Sequence, residues 1–306
     1  MVRSRSAKLK TPHVVPVPSP HHSLLDSLRG PDAVIAAELR PPLAELTGPE
    51  GMNAWIDTYH AVRRLSKSGT YVFLTDSAVG TAEEDNLRHL VTNLGTDVPR
   101  ERIVPFLTCK HPLGYCVAYA ERAWQHGFPA LVVLGGDRTL GVPRSVEHAW
   151  QLRQIIRSHD RGLVLGGWAN PNGDAAAQVR YLLDPTFTAE FYLTQVVSHH
   201  RAAAVERFVR ESERAGLAMP GMFGVFYYRS ANPRTLAALS QFLPVPVEEL
   251  AAEFSAGATP EDICARTLRT LMNVGARHFY ISNLPLSRVA ATLSHIRDLV
   301  AENLQP

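Results

Sequence analysis

The chain has 306 residues, 45% of them hydrophobic and 20% charged, with a formal net charge of +2. That balance gives no polyanion-binding signal, so nucleic acid is not an expected partner, and no run of about 18 apolar residues offers a membrane span. Cys109, Cys116 and Cys264 form neither a CxxC pair nor a zinc spacing, which points to buried thiols in a reducing cytoplasm.

The first residues carry Arg3, Arg5, Lys8 and Lys10, then Pro12, Pro16, Pro18 and Pro20, with no apolar h-region. This is the composition of a disordered tail, expected over residues 1–25, and not of a signal peptide. Short β-branched runs then alternate with longer segments of helical period. Strands are expected at 33–39, 71–75, 102–108, 130–134, 162–165, 190–196, 222–226 and 277–281, and amphipathic helices at 52–66, 113–125, 145–158, 200–215 and 260–274. The last helix has explicit ends: Thr259 as N-cap, Pro260 in the first turn with Glu261 and Asp262, and Gly275 after the final turn. Residues 240–258 read as an extra helical insert. Purely apolar strand runs argue for parallel strands covered by helices. Repeated β-then-α units predict a single-domain (β/α)8 TIM barrel over residues 26–306. A doubly wound open sheet is the alternative, but no GxGxxG follows its first strand.

In such a barrel the chemistry sits at the C-terminal strand ends. Those ends offer Glu38, Thr75, Thr108, Asp137, Trp168 with Asn170, Gln195, Tyr227 and Asn283. The stretch LVVLGGDRT (residues 131–139) is the most pointed: a buried-looking strand running into a carboxylate. Asp137 either caps the next helix or faces a ligand. Other polar strand ends around the same ring favour the ligand, with Gly135 and Gly136 letting a flat ring approach the backbone.

AAELRPP (36–42), FLTC (106–109), LGGD (134–137), FYLTQ (191–195), MPGMFGV (219–225) and GARHFYISN (275–283) occur in an order that resembles the methylenetetrahydrofolate reductases. The resemblance implies a cytoplasmic TIM-barrel enzyme that reduces 5,10-methylenetetrahydrofolate to 5-methyltetrahydrofolate. Position by position, it makes Glu38 the general acid for N-10 and Asp137 the carboxylate that holds the pterin and offsets the iminium charge. Gln195 becomes the amide that hydrogen-bonds the pterin, with Tyr280 and Asn283 joining the substrate site. Arg40 departs from the family pattern. Were the strand to continue, its guanidinium would share a face with Glu38 and lower the acid's pKa.

Most of that family carries FAD, and the flavin side is where this chain differs. Phe106 and Gly135 stand where basic groups are usual, YLLDPTFTAEF (181–191) is poorly basic, and WANPNGD (168–174) lacks the usual His. The expectation is the flavin-independent kind known from mycobacteria, with FAD absent and NADH, or NADPH, as direct hydride donor. Thr75, Phe106, Trp168, Asn170 and Tyr227 are the cofactor-binding candidates, the aromatics by stacking. An FAD-dependent reductase, a folate-binding methyltransferase-like barrel and a silent folate binder are the alternatives. Oligomeric state is not legible. His199 and His200 suggest a metal, but adjacent histidines on a helix point about 100° apart, so no metal site is expected. His278 reads as a packed or rim residue, and Ser282 lacks a GxSxG elbow.

Overall fold

A computed structural model of the chain describes residues 23–42, 46, 48–76, 91, 94–95, 97–159 and 162–302. Its strands are β1 (Ile35–Leu39), β2 (Val72–Leu74), β3 (Ile103–Thr108), β4 (Ala130–Leu134), β5 (Val164–Ala169), β6 (Phe191–Val197), β7 (Gly221–Phe226) and β8 (His278–Ser282). All pair in parallel and in chain order, and β8 returns to β1 through Ile35↔Phe279, Ala36↔Tyr280 and Ala37↔Ile281. That ladder closes the barrel and excludes the open sheet.

The helices among the described residues are α1 (Leu24–Arg29), α2 (Gly48–Lys67), α3 (Leu113–Gln125), α4 (Ala149–His159), α5 (Ala175–Leu183), α6 (Ala202–Arg214), α7 (Pro233–Leu239), α8 (Val247–Ser255), α9 (Pro260–Asn273) and α10 (Val289–Glu302). None is long and apolar enough to cross a membrane. The insert after β7 is the pair α7 and α8, and it starts earlier than expected because Asn232 caps Arg234 and Thr235 with Pro233 in the first turn. The helix expected from 145 begins only at Ala149, since residues 138–148 form an irregular loop.

Strand side chains alternate between two cores. The outward set, including Ala37, Leu39, Leu107, Leu131, Val133, Phe223 and Ile281, packs under the helices. The inward set, including Ala36, Phe73, Val104, Phe106, Val132, Phe191, Leu193, Met222 and Tyr280, fills the barrel. It is a packed interior and not a pore.

The expected tail boundary at residue 25 falls inside α1. Ser23 and Asp26 form a capping box, and Leu24 and Leu28, each 2% exposed, join the inner core at the N-terminal end of the barrel. The Ser27 hydroxyl meets the Tyr71 hydroxyl at 2.8 Å. The polar, Pro-rich residues before this helix hid a short amphipathic element with a strong cap. Residues 1–22 lie outside the described residues. Leu24→Ala is expected to lower the unfolding free energy by about 2–5 kcal/mol in urea denaturation. An unchanged midpoint would return this segment to the tail.

Candidate active site

Glu38 sits two residues above Ala36 on the inward face of β1, partly accessible at the C-terminal mouth. Burial pushes its carboxyl up to about 7, against an opposing hydrogen bond that Ser282 Oγ donates to Oε1 at 2.7 Å. β1 stops at Leu39 and Arg40 is exposed, so the concern that Arg40 continues the same strand face does not arise.

The surface beneath Glu38 is tightly built. Tyr280, level with Ala36 across the β1–β8 ladder, is buried and donates its hydroxyl to the Thr194 carbonyl. Thr194 lies in a bulge of β6, where the register jumps from Leu193↔Met222 to Val196↔Gly224. Its own hydroxyl accepts the Gly224 N–H at 3.1 Å, replacing the ladder bond that the bulge removes. A Cβ on Gly224 would lie 2.5 Å from the Tyr280 hydroxyl, so only glycine fits there. Tyr280 is therefore the floor of the site, with its polar atom committed, and not a surface that substrate can touch.

Asp137 follows β4 and is partly exposed. The next helix begins at Ala149, so Asp137 is not a helix cap. It organises a turn instead: Oδ1 accepts Thr139 N–H at 2.7 Å, Leu140 N–H at 2.8 Å and the Thr139 hydroxyl at 3.0 Å. These donors, led by the Thr139 amide, hold the carboxyl below its usual range, so it is ionised at neutral pH. All three bonds fall on one oxygen, which leaves Oδ2 as an acceptor. The loop is stitched further by Lys110, whose buried ammonium donates to Leu140 O at 2.7 Å and Val142 O at 2.6 Å.

Gly135 has a different use from the expected one. Its missing Cβ admits the guanidinium of Arg144, whose carbon lies 2.7 Å from where a Cβ would be, and Arg144 also donates to Gly136 O. The room that sequence reasoning kept for a ligand ring is filled by this side chain.

The other candidates divide. Trp168 lies within β5, which runs to Ala169 and not to residue 165 as expected, and packs half-buried on the inner core as a wall. Gln195 sits in the bulge with Oε1 accepting the Val196 N–H at 2.9 Å. Thr75 donates its N–H to Leu39 O at 3.0 Å at the rim. Asn170 Oδ1 accepts the Asn172 N–H at 3.1 Å and so shapes its own turn. Asn283, at φ 65°, takes the left-handed conformation that asparagine tolerates and donates to Tyr227 O at 3.0 Å. Phe106 is buried inside the barrel, edge-on to Phe73, and cannot stack on a nicotinamide. Tyr227 cannot either: it belongs to the outer core, and its hydroxyl donates to Glu261 Oε1 of α9 at 2.7 Å. The Tyr227 correction follows from strand parity, whereas Phe106 faces inward but lies two residues short of the end of β3, within the packed interior.

Three groups at the mouth were missed as site residues. Ser282 was weighed only as a nucleophile, not as the partner of Glu38. Asp76 follows Thr75 at the end of β2; it accepts Thr108 N–H at 2.7 Å and the Thr108 hydroxyl at 2.9 Å and meets His111 Nε2 at 2.8 Å. The signal that selected Asp137, an acid just past a strand, was present for Asp76 too. The third is the pair His199 and His200, expected to diverge, whose rings lie 3.9 Å apart, both turned toward Glu253. His278, by contrast, is packed as expected: its Nδ1 accepts Val34 N–H at 3.2 Å. A separate groove at the opposite end of the barrel, lined by Asp26, Tyr71, Arg102 and Arg297, holds none of the candidate residues.

Neither a protein-family profile nor a curated protein matches this sequence. The fold is similar to that of a solved structure described as an uncharacterised protein from Clostridium thermocellum that binds two copies of 5-methyl-5,6,7,8-tetrahydrofolic acid. The TM-score is 0.65 at 14% identity, covering 89% of this chain and 96% of that one. At that identity the likeness establishes a common fold: this chain is a closed (β/α)8 barrel.

Proposed function

We propose that this barrel reduces 5,10-methylenetetrahydrofolate to 5-methyltetrahydrofolate, taking the hydride directly from NADH or NADPH. The observation that carries the reading is Glu38, an inward-facing carboxyl with its pKa raised by burial to about 7. A group poised there is both proton-bearing and able to release the proton at neutral pH. The reduced folate bound by the structurally similar protein supports the substrate class, as do the six ordered motifs.

Glu38 gives its proton to N-10 as the bond between N-10 and the methylene carbon breaks, leaving a 5-iminium cation. Ser282 then steadies the carboxylate that remains. Asp137, ionised and fixed by its turn, is the anion that offsets the cation. The nicotinamide supplies a hydride to the iminium carbon, which becomes the methyl group. Trp168 is the aromatic wall suited to a flat ring. An FAD-dependent route is the second reading. It is favoured by Arg144, which brings a guanidinium to the position where Gly135 lacks a side chain.

Glu38→Gln is expected to lower turnover by about 100-fold or more with folate binding retained. In the native protein the raised pKa means the folded state binds more protons than the unfolded one between the ordinary carboxyl value of 4.5 and about 7. Stability present below the unfolded pKa is thus lost as pH rises through about 7. The variant should therefore melt higher than the native protein at pH above this window. Unchanged turnover, or no gain in melting temperature, would remove Glu38 from the role. Because Ser282 lowers the Glu38 pKa, Ser282→Ala should move the alkaline limb of kcat/KM to higher pH; a limb that stays in place means another group titrates.

Asp137→Asn retains Oδ1 for the turn and removes only charge. Folate binding and hydride transfer should weaken together, kcat/KM on the order of 100-fold, at nearly unchanged melting temperature. If stability falls instead while kcat/KM holds, Asp137 is a turn residue alone.

The purified protein should be colourless and active. Direct transfer needs both substrates bound at once, the donor and acceptor carbons about 3–3.5 Å apart. Initial rates should therefore give intersecting double-reciprocal lines, and deuterium on the transferred position of NADH should be retained in the methyl product. Parallel lines, or a yellow protein inactivated by stripping the flavin, would establish the FAD-dependent route.

A further inference from the structure

The loop after β6 and the insert after β7 meet in a cluster that the proposed reaction does not use. Ser198 caps the 3-10 turn His199–Arg201, and both imidazoles of that turn reach the same carboxylate. His199 Nε2 lies 2.7 Å and His200 Nε2 2.6 Å from Glu253 Oε1 on α8. The three donor atoms lie within 4.8 Å of one another, and the side chains are only 10%, 19% and 11% exposed.

The surrounding hydrogen bonds decide what these nitrogens present. Thr267 Oγ1 donates its single proton to Ile263 O at 2.9 Å, so towards His199 Nδ1, 2.8 Å away, it can only accept. Nδ1 therefore carries a proton. Nε2, 2.7 Å from Glu253 Oε1, either holds a second proton and donates to that oxygen or, in the neutral ring, presents the lone pair that a metal takes. His200 Nε2 is buried and makes no hydrogen bond, despite its 2.6 Å approach to the same oxygen. That geometry is poor for N–H···O and ordinary for two ligands turned to one centre. Arg266 Nη1 holds the other oxygen, Oε2, at 2.7 Å, so Glu253 offers a single oxygen to the cluster. The Arg266 side chain is 45% exposed, and water screens the charge it adds.

We infer that His199, His200 and Glu253 form a binding site for a divalent transition metal, with Zn²⁺ the best match. Two imidazoles and one carboxylate oxygen are borderline-soft donors, and three protein ligands leave a fourth position for water. The hydrogen bond from Nδ1 to Thr267 is the outer-shell contact that orients a ligating imidazole. Tetrahedral distances of about 2.0–2.2 Å set two donors about 3.3–3.6 Å apart, so each nitrogen must move roughly 0.6–0.9 Å from the Glu253 oxygen on binding. Bound there, the ion pins α8 to the loop following β6. The site is independent of the folate reading.

The test is a zinc titration of the full chain after chelator treatment, read against a chromogenic competitor. One high-affinity equivalent is expected. Glu253→Gln and His200→Ala should each weaken it by about 100-fold or more, and Thr267→Val, which removes the acceptor of Nδ1–H, by about 10–100-fold. X-ray absorption at the zinc edge of the unsubstituted protein should show two imidazoles with oxygen, which keeps the question answerable if a variant does not fold. No saturable binding, a sulfur-containing shell, or affinity unchanged in Glu253→Gln would overturn the site. The last result would place the metal on others of the 13 histidines and leave a His–Glu–Arg ion cluster.

Discussion

The hydrogen bond from the Tyr280 hydroxyl to the Thr194 carbonyl sets the depth of the whole site. A closed barrel of eight strands must fill its interior with side chains, and any polar atom placed there needs a partner. Here the bulge in β6 turns a backbone carbonyl inward to meet the tyrosine, and Gly224 leaves room for the ring. Below the tyrosine the interior is filled by the buried side chains of the inner core, and Glu38 and Ser282 stand above it toward the C-terminal strand ends. Desolvation of Glu38 follows from this floor, because the carboxyl stands on an apolar and fully satisfied layer.

Glu38 and Asp137, two of the carboxylates at the mouth, are driven in opposite directions by their settings. Glu38 stands in the low-dielectric neck and holds its proton near neutral pH, whereas Asp137 lies in a loop whose amides favour the anion. Environments that separate the pKa values of two acids divide the work of proton donor and fixed charge between them. The neck is unfavourable for a charged group, so the fold is less stable for having Glu38 there, and that cost is characteristic of a functional position.

The barrel was legible because parallel, doubly covered strands read as plain apolar runs. β4 was located to the residue at both ends. β5 was cut short because Gly166 and Gly167 look like a strand end, whereas they are glycine to make room for Phe191 and Phe187. Glu38 and Asp137 were legible as acids at strand ends. Which face Tyr227 takes and how deep Phe106 lies in the barrel were not. The pairings Ser282 to Glu38 and Glu253 to His199 join residues far apart in the chain. No local pattern announces such contacts. Helical spacing misled at His199 and His200, whose rings both turn to one Glu253 oxygen.

The loop between β4 and α4 holds itself together before anything binds. Lys110, Asp137, Arg144 and the Ser145 amide, which donates to Cys109 O at 2.6 Å, bind it to β3 and β4 from both sides. A molecule arriving at this wall meets dipoles already aligned, and little chain entropy remains to be lost on contact. Discrimination among similar ligands there rests on shape and charge that cannot readjust, so this wall of the mouth behaves as a template and not as a lid.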